Sequence, residues 1–425
     1  MKIKEILCSK SLTGFYFDDQ AAIKSGATQD GFNYIGEPIT DKFTSIRQKG
    51  EAVSIMFILE DGQVGIGDAA AVQYSGAGGR DPLFIAEEGI KIINEKIRPL
   101  LVGRDVLRFK ELAIEIDSLK IDGKLIHTAL RYGLTQALLA STAKANKVTM
   151  AEVIREEYNI SSKEYTRIPM FAQTGDDRYT NVDKMIIKEV EVMPHALINN
   201  IETKLGYNGE ILKEYVVWLR NRVLKIRTRE DYNPIFHIDV YGTIGQIFNN
   251  DYDKMFHYIK ELEIAASPFL LRIEGPTDAG NRLDTMKALK SITALIDNSE
   301  SKVEIVADEW CNTLDDVKYF ADNNAGHMLQ VKTPDLGGIN NVIDALQYCS
   351  DRNIGAYSGG TCNETNISAE ITTNIAIACN AKQCLAKPGM GTDEGIMIVN
   401  NIMNRTLALI KYRQEWFVWN IQQDH

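Results

Sequence analysis

Three carboxylates close three consecutive apolar runs: Asp239 in FHIDVYG, Glu274 in LRIEGP and Asp308 in IVADEW. Thirty-five residues separate the first two and thirty-four the last two, the length of one strand, one helix and their turns in a barrel. Acids held together repel one another, so a fold keeps them together where a cation compensates, and an all-oxygen set of low count selects Mg²⁺ over zinc. One such acid alone is better read as a helix N-cap or a solvated strand end; three in register at successive strand ends predict a magnesium site. The next run, HMLQVKTPDLGG, ends with Gln330 and Lys332, two apart and therefore on one face of a strand. A lysine beside a bound divalent cation loses part of its preference for the charged form and can act as a base near neutral pH. His195, in VMPHALINN, falls near a predicted second strand on the wall opposite the lysine, placed to donate a hydrogen bond to a carboxylate oxygen that gains charge. Together these groups would place a base, a cation and a hydrogen-bond donor around one site.

Two glycine-rich segments flank this set, SGAGGRDP at 75–82 and SGGTCNET at 358–365. The first lacks the Lys-Ser/Thr ending and strand context of a phosphate loop. It reads as a flexible loop that closes over a site, with Gln73 just before it in reach of substrate. The second follows the seventh predicted strand, where barrels offer backbone N–H groups to anions; Thr361 and Cys362 are its candidates for binding a substrate carboxylate.

Positioning these residues requires a parallel sheet. From about Arg167 onward, short apolar runs alternate with helical stretches. Candidate strands are 168–173, a weak one at 196–199, then 235–240, 269–273, 304–307, 328–331, 355–357 and 384–386. Eight strands over some 240 residues predict an α/β fold, a (β/α)₈ TIM-type barrel. Ahead of it, Val53–Leu59 and Val64–Gly67 flank the turn Glu60-Asp61-Gly62-Gln63 and read as a hairpin. Helical patterns follow at 82–101, 106–119 and 125–158, the last with a break near Lys147. The expected organisation is an N-terminal α+β capping domain at 1–163 and a C-terminal barrel at 164–425, with a helical stretch at 398–411 and then a mixed tail containing Trp416 and Trp419.

Composition bounds the partners. The chain of 425 residues is 44% hydrophobic and 25% charged, with a formal net charge of -11, the profile of a globular protein without the basic stripes that bind nucleic acid or anionic membranes. Six cysteines form no Cys-x-x-Cys pair and read as reduced thiols. With no secretory signal and no apolar stretch of membrane-spanning length, a cytoplasmic location is expected.

The blocks GFYFDDQ (14–20), VQYSGAGGRDPLF (72–84), DDRYTNVDKMIIK (176–188), PHALINN (194–200), HIDVYGTIG (237–245), VADEWCNT (306–313), VKTPDLGGINN (331–341), GGTCNET (359–365) and AKPGMGTDEG (386–395) resemble the methylaspartate ammonia-lyase family of the enolase superfamily over nearly the whole chain. The resemblance implies elimination of ammonia from L-threo-3-methylaspartate, an amino dicarboxylate, to give mesaconate, as a step of glutamate fermentation. It further implies Mg²⁺ with K⁺ as an activating monovalent ion, and a homodimer. Asp239, Glu274 and Asp308 match the family's metal ligands, Lys332 its base, His195 the residue that steadies the developing enolate, and Gln173, Gln330, Thr361 and Cys362 its substrate contacts. Ser358 stands where the family has Cys, and the chain beyond Tyr412 has no counterpart. Two other readings share parts of this pattern. Racemases and cycloisomerases of the superfamily begin with the same proton abstraction, often through a K-x-K motif where this chain has Gln330-Val331-Lys332; a noncatalytic barrel would only bind a metal or an acidic metabolite.

Overall fold

The hairpin is the centre of the N-terminal sheet. Strand β2 (Arg47–Leu59) buries Ile55, Phe57 and Leu59 and leaves Met56 and Ile58 only partly covered, the alternation of a sheet with one face against a core. It pairs antiparallel with β3 (Val64–Ala70) on one side and with β1 (Ile3–Asp18) on the other. β1 escaped the sequence reading because most of its sixteen residues are exposed or half-buried, and only Ile3, Ile6, Thr13, Phe17 and Asp18 are buried. Helix α1 (Thr128–Asn146) lies on this sheet so closely that a Cβ on Gly67 would sit 2.2 Å from the Gly133 carbonyl oxygen; glycine is required by that backbone approach. The expected break at Lys147 is a left-handed residue (φ 57°). After it, Thr149 and Glu152 form a reciprocal capping box for α2 (Met150–Glu157).

The computed structural model describes all residues except Gly78, Ser162, Lys163, Met390 and 424–425, and describes no side chains from 416 onward. Residue 163, on one side of the expected domain boundary at 163/164, lies outside this description. Eight parallel strands then close a barrel in chain order: β4 (Met170–Ala172), β5 (Val192–Met193), β6 (Ile235–Asp239), β7 (Leu271–Glu274), β8 (Glu304–Ala307), β9 (Met328–Lys332), β10 (Gly355–Gly359) and β11 (Gln383–Ala386), with β11 returning to β4.

Seven strands overlap the predicted runs. The second does not: it lies at 192–193, upstream of the expected 196–199, because Ala196 and Leu197 have positive φ (72° and 48°) and cannot extend a strand. His195 thus follows the strand, yet its backbone still bridges both neighbours, its N–H donating to Ala172 (3.2 Å) and its carbonyl accepting from the Asp239 N–H (3.0 Å). The C-terminus also differs from expectation. One helix, Thr392–Gln423, replaces a shorter helix and mixed tail; the side chains of Trp416 and Trp419 lie outside the described residues.

The two domains are joined along one barrel helix and the loop that leads into it. Ala151 N–H of α2 donates to Asn374 Oδ1 (3.2 Å) on helix α3 (Asn366–Cys379), and Thr365 Oγ1 donates to Asp68 Oδ2 of β3 (2.5 Å). No helix among the described residues is long and apolar enough to cross a membrane, and all six cysteines are free thiols.

Candidate active site

At the C-terminal ends of the barrel strands, beneath the loop that follows β3, lies a cavity of about 90 Å³. Gln73, His195, Asp239, Asp308, Gln330, Lys332, Thr361 and Cys362 all line it. It adjoins a cleft of about 970 Å³ with which it shares Tyr74, Arg80, Tyr241 and Glu309.

Asp239 and Glu274 end β6 and β7, and Asp308 follows β8 by one residue; all three are buried. Oxygen atoms of Asp239 and Glu274 and a ring nitrogen of His195 lie within 4.8 Å of one another. Burial, then the charges of Glu274 and Asp308, push the Asp239 carboxyl well above the usual carboxylate range. Glu274 is raised to about 7, mainly by burial. Asp308 is also raised to about 7, burial outweighing the Lys332 amine. Asp308 is outside the group formed by His195, Asp239 and Glu274 and pairs instead with Lys332; buried acids that resist ionisation are stabilised as carboxylates by a nearby cation. The all-oxygen character of these three acids fits Mg²⁺.

Lys332 ends β9 and pairs with Asp308 Oδ1 at 2.6 Å, with Glu309 Oε1 at 3.9 Å. Burial works against its charge, but these carboxylates outweigh burial and raise the amine above its ordinary range. The expected weakening of its charge therefore does not arise from the protein's groups alone; a cation engaging Asp308 would withdraw the largest anionic influence on it. Gln330, with its amide nitrogen toward the acid, donates to Asp308 Oδ2 (3.2 Å), and its oxygen lies 3.0 Å from the Tyr357 hydroxyl. His195 Nε2 is 3.4 Å from Asp239 Oδ2, while Nδ1 is buried without a hydrogen-bond partner. Burial and the nearby cations Lys387 and Lys332 hold this imidazole well below its ordinary pKa.

The remaining predicted contacts divide. Cys362 donates its S–H to Gln73 Oε1 (3.1 Å), and Gln73 Nε2 donates to Asp18 Oδ2 (2.6 Å), whose carboxylate also receives two bonds from Arg47. Thr361 Oγ1 accepts from the Asn363 N–H (3.2 Å). Gln173 stands apart from the lining: its amide donates to the Gly389 carbonyl (3.3 Å) and accepts from the Gly175 N–H (2.8 Å), tying two loops together.

The sequence reading did not single out Tyr74, Arg80, Tyr241, Glu309, Asp335 or Lys387, all of which line the cavity. Lys387 was the most accessible of these, since it follows β11 by one residue just as Asp308 follows β8. Arg80 spans the domains, donating from Nε to both Asp335 oxygens (3.2 and 3.0 Å) and from Nη2 to Asn312 (3.1 Å). No local pattern pairs residues 255 positions apart.

Two family models match the chain, the N-terminus of methylaspartate ammonia-lyase at residues 1–159 and its C-terminus at 162–412. Methylaspartate ammonia-lyase of Clostridium tetanomorphum is 61% identical over 414 residues, 97% of this chain and 100% of that one. The magnesium complex of β-methylaspartase from the same organism has a TM-score of 0.94 at 61% identity, covering 97% and 100% of the two chains. The Citrobacter amalonaticus enzyme containing (2S,3S)-3-methylaspartic acid has a TM-score of 0.95 at 55% identity and covers 97% and 100%. Muconate lactonizing enzyme of Pseudomonas fluorescens, 16% identical with a TM-score of 0.57 over 88% and 84% of the chains, shares the fold.

Proposed function

The chain belongs to the methylaspartate ammonia-lyase family, and on that premise we propose that it removes ammonia, reversibly, from L-threo-3-methylaspartate to give mesaconate. It is a carbon–nitrogen lyase. The observation that carries the reading is the meeting of a lysine, a histidine and buried acids on one small cavity.

The chemical obstacle is the C3 proton, which is weakly acidic because its conjugate base adds charge to a carboxylate already anionic. Asp239, Glu274 and Asp308 would hold Mg²⁺, which when bound would supply positive charge to that carboxylate. Lys332 takes the C3 proton at Nζ, and His195 and Gln330 donate hydrogen bonds to the carboxylate oxygen that gains charge. The electron pair released at C3 then forms the C2–C3 double bond, and ammonia leaves C2 with the C–N pair. Thr361, Cys362 and Gln73 hold the second carboxylate, with Lys387 adding positive charge on the same wall. A positive focus inside an acidic shell reconciles a net charge of -11 with a dianionic substrate.

Stimulation by K⁺, a homodimer, a place in glutamate degradation and a cytoplasmic location belong to the same reading. The deciding test is ultraviolet detection of the conjugated diacid when the protein meets 3-methylaspartate with Mg²⁺ and then with a chelator. Absorbance that grows with metal and stops with chelator is expected. Folded protein that yields no product in either condition overturns the reading.

A further inference from the structure

The interior of the barrel holds a polar chain that ends on Glu274 and whose other members the reaction itself does not use. Arg272 Nη1 donates to Gln383 Oε1 (2.6 Å), Gln383 Nε2 lies 2.9 Å from His237 Nδ1, and His237 Nε2 lies 2.6 Å from Glu274 Oε2. At its far end Arg272 Nε donates to Glu304 Oε2 (2.5 Å). Arg272 is 3% exposed and the other three members of the chain are fully buried. Phe171 stacks on the His237 ring at 4.2 Å, and Tyr357 meets it edge-on at 5.6 Å. A polar chain in an apolar lumen persists only when every member is satisfied, and here each group has its partner.

The direction of this chain follows from its first member. A guanidinium donates and never accepts, so Gln383 must turn its oxygen to Arg272 and its N–H to the ring. His237 Nδ1 is then an acceptor, which leaves the single ring proton on Nε2, facing Glu274. The carboxylate consequently receives a fixed donor on Oε2, in addition to the Tyr357 hydroxyl at 2.8 and 2.9 Å from its two oxygens.

We propose that Arg272, Gln383 and His237 form a one-way hydrogen-bond relay that sets the orientation of Glu274 for binding the divalent cation. All three are positioning residues. In most metal sites a carboxylate orients a ligating histidine; here a histidine orients a ligating carboxylate. The inference rests on the reading of Glu274 as a metal ligand.

The experiment uses the full chain labelled with ¹⁵N-histidine and stripped of metal. Long-range proton–nitrogen correlation, with His237 assigned by its loss in His237→Gln, is expected to show the Nε2–H tautomer. An Nδ1–H tautomer overturns the relay without any variant having to fold. Calorimetric titration with Mg²⁺ follows. His237→Phe and Gln383→Leu are expected to weaken binding about 10- to 100-fold, the range for supporting residues around a metal, while His237→Gln, which keeps a donor, retains more. Binding within twofold of the natural chain in both His237→Phe and Gln383→Leu overturns the proposal. Glu274→Gln separates the two ideas: if it binds Mg²⁺ normally, the ligand assignment fails; if only it loses binding, the relay fails alone.

Discussion

Glu364 offers a stability measurement that isolates one buried acid. It lies in the loop bearing Thr361 and Cys362 and accepts hydrogen bonds from Tyr132 (2.6 Å), Thr333 (2.5 Å) and Thr372 (3.4 Å). Burial outweighs these three hydroxyls and the nearby Lys387 and raises its carboxyl from 4.5 to about 7. At ~1.4 kcal/mol per pH unit this separation corresponds to about 3 kcal/mol. The folded chain then binds more protons at this site than the unfolded chain between those two values. The stabilisation is complete below the unfolded pKa and is lost as pH rises through the folded one. Glu364→Gln removes the titration while keeping an acceptor for the hydroxyls. The difference in unfolding free energy, natural chain minus variant, should therefore fall by about 2–3 kcal/mol between pH 5 and pH 8 and be flat above. Urea unfolding of both proteins across that range measures it, because other titrating groups cancel in the difference. A difference constant to within about 0.5 kcal/mol, or one that rises with pH, refutes the reasoning.

Lys332→Ala should abolish deamination while Mg²⁺ affinity stays largely intact; normal turnover would show that another group takes the proton. Asp308→Asn should raise the Mg²⁺ concentration needed for half-maximal rate at least tenfold, and an unchanged metal dependence counts against the carboxylate cluster. Arg80→Met breaks the pair with Asp335, whose side chains are 11% and 4% exposed, and should raise KM about tenfold, since a charge-assisted bond of this kind contributes about 1.5–3 kcal/mol; KM unchanged in steady-state assays would mean that the loop holds without the pair. His127, whose pKa burial lowers, accepts from Ala129 N–H at 3.0 Å and lies 2.9 Å from the Pro82 carbonyl. Its stabilisation is present above the unfolded pKa of about 6.5 and is lost as pH falls below it, so the destabilisation caused by His127→Ala should shrink in acid, as thermal melts at pH 7.5 and 5 would reveal.

Much of this protein was legible in its residues. Eight apolar runs at barrel spacing, and acids at the ends of three of them, are local patterns, and a strand alternates its side chains whatever surrounds it. The repeat of one strand and one helix per unit also carried the parallel topology, because such crossovers admit essentially one hand. β1 was missed because an edge strand with a largely exposed face has no apolar signature. The second barrel strand was misplaced because its apolar residues continue into Ala196 and Leu197, whose backbone turns left-handed.

What the sequence determined by itself was therefore the fold class, the N-terminal domain ahead of the barrel, and which acids, lysine and histidine come at the strand ends. Tertiary structure decided how those groups act on one another. It set Lys332 against Asp308, buried His195 beside Asp239, ran Arg272 through Gln383 and His237 to Glu274, and brought Arg80 to Asp335 from another domain. Each of these depends on distances between residues tens to hundreds of positions apart and on the burial that strengthens electrostatics between them. Periodicity reports which face of an element is buried; only the closed barrel determines what that face meets.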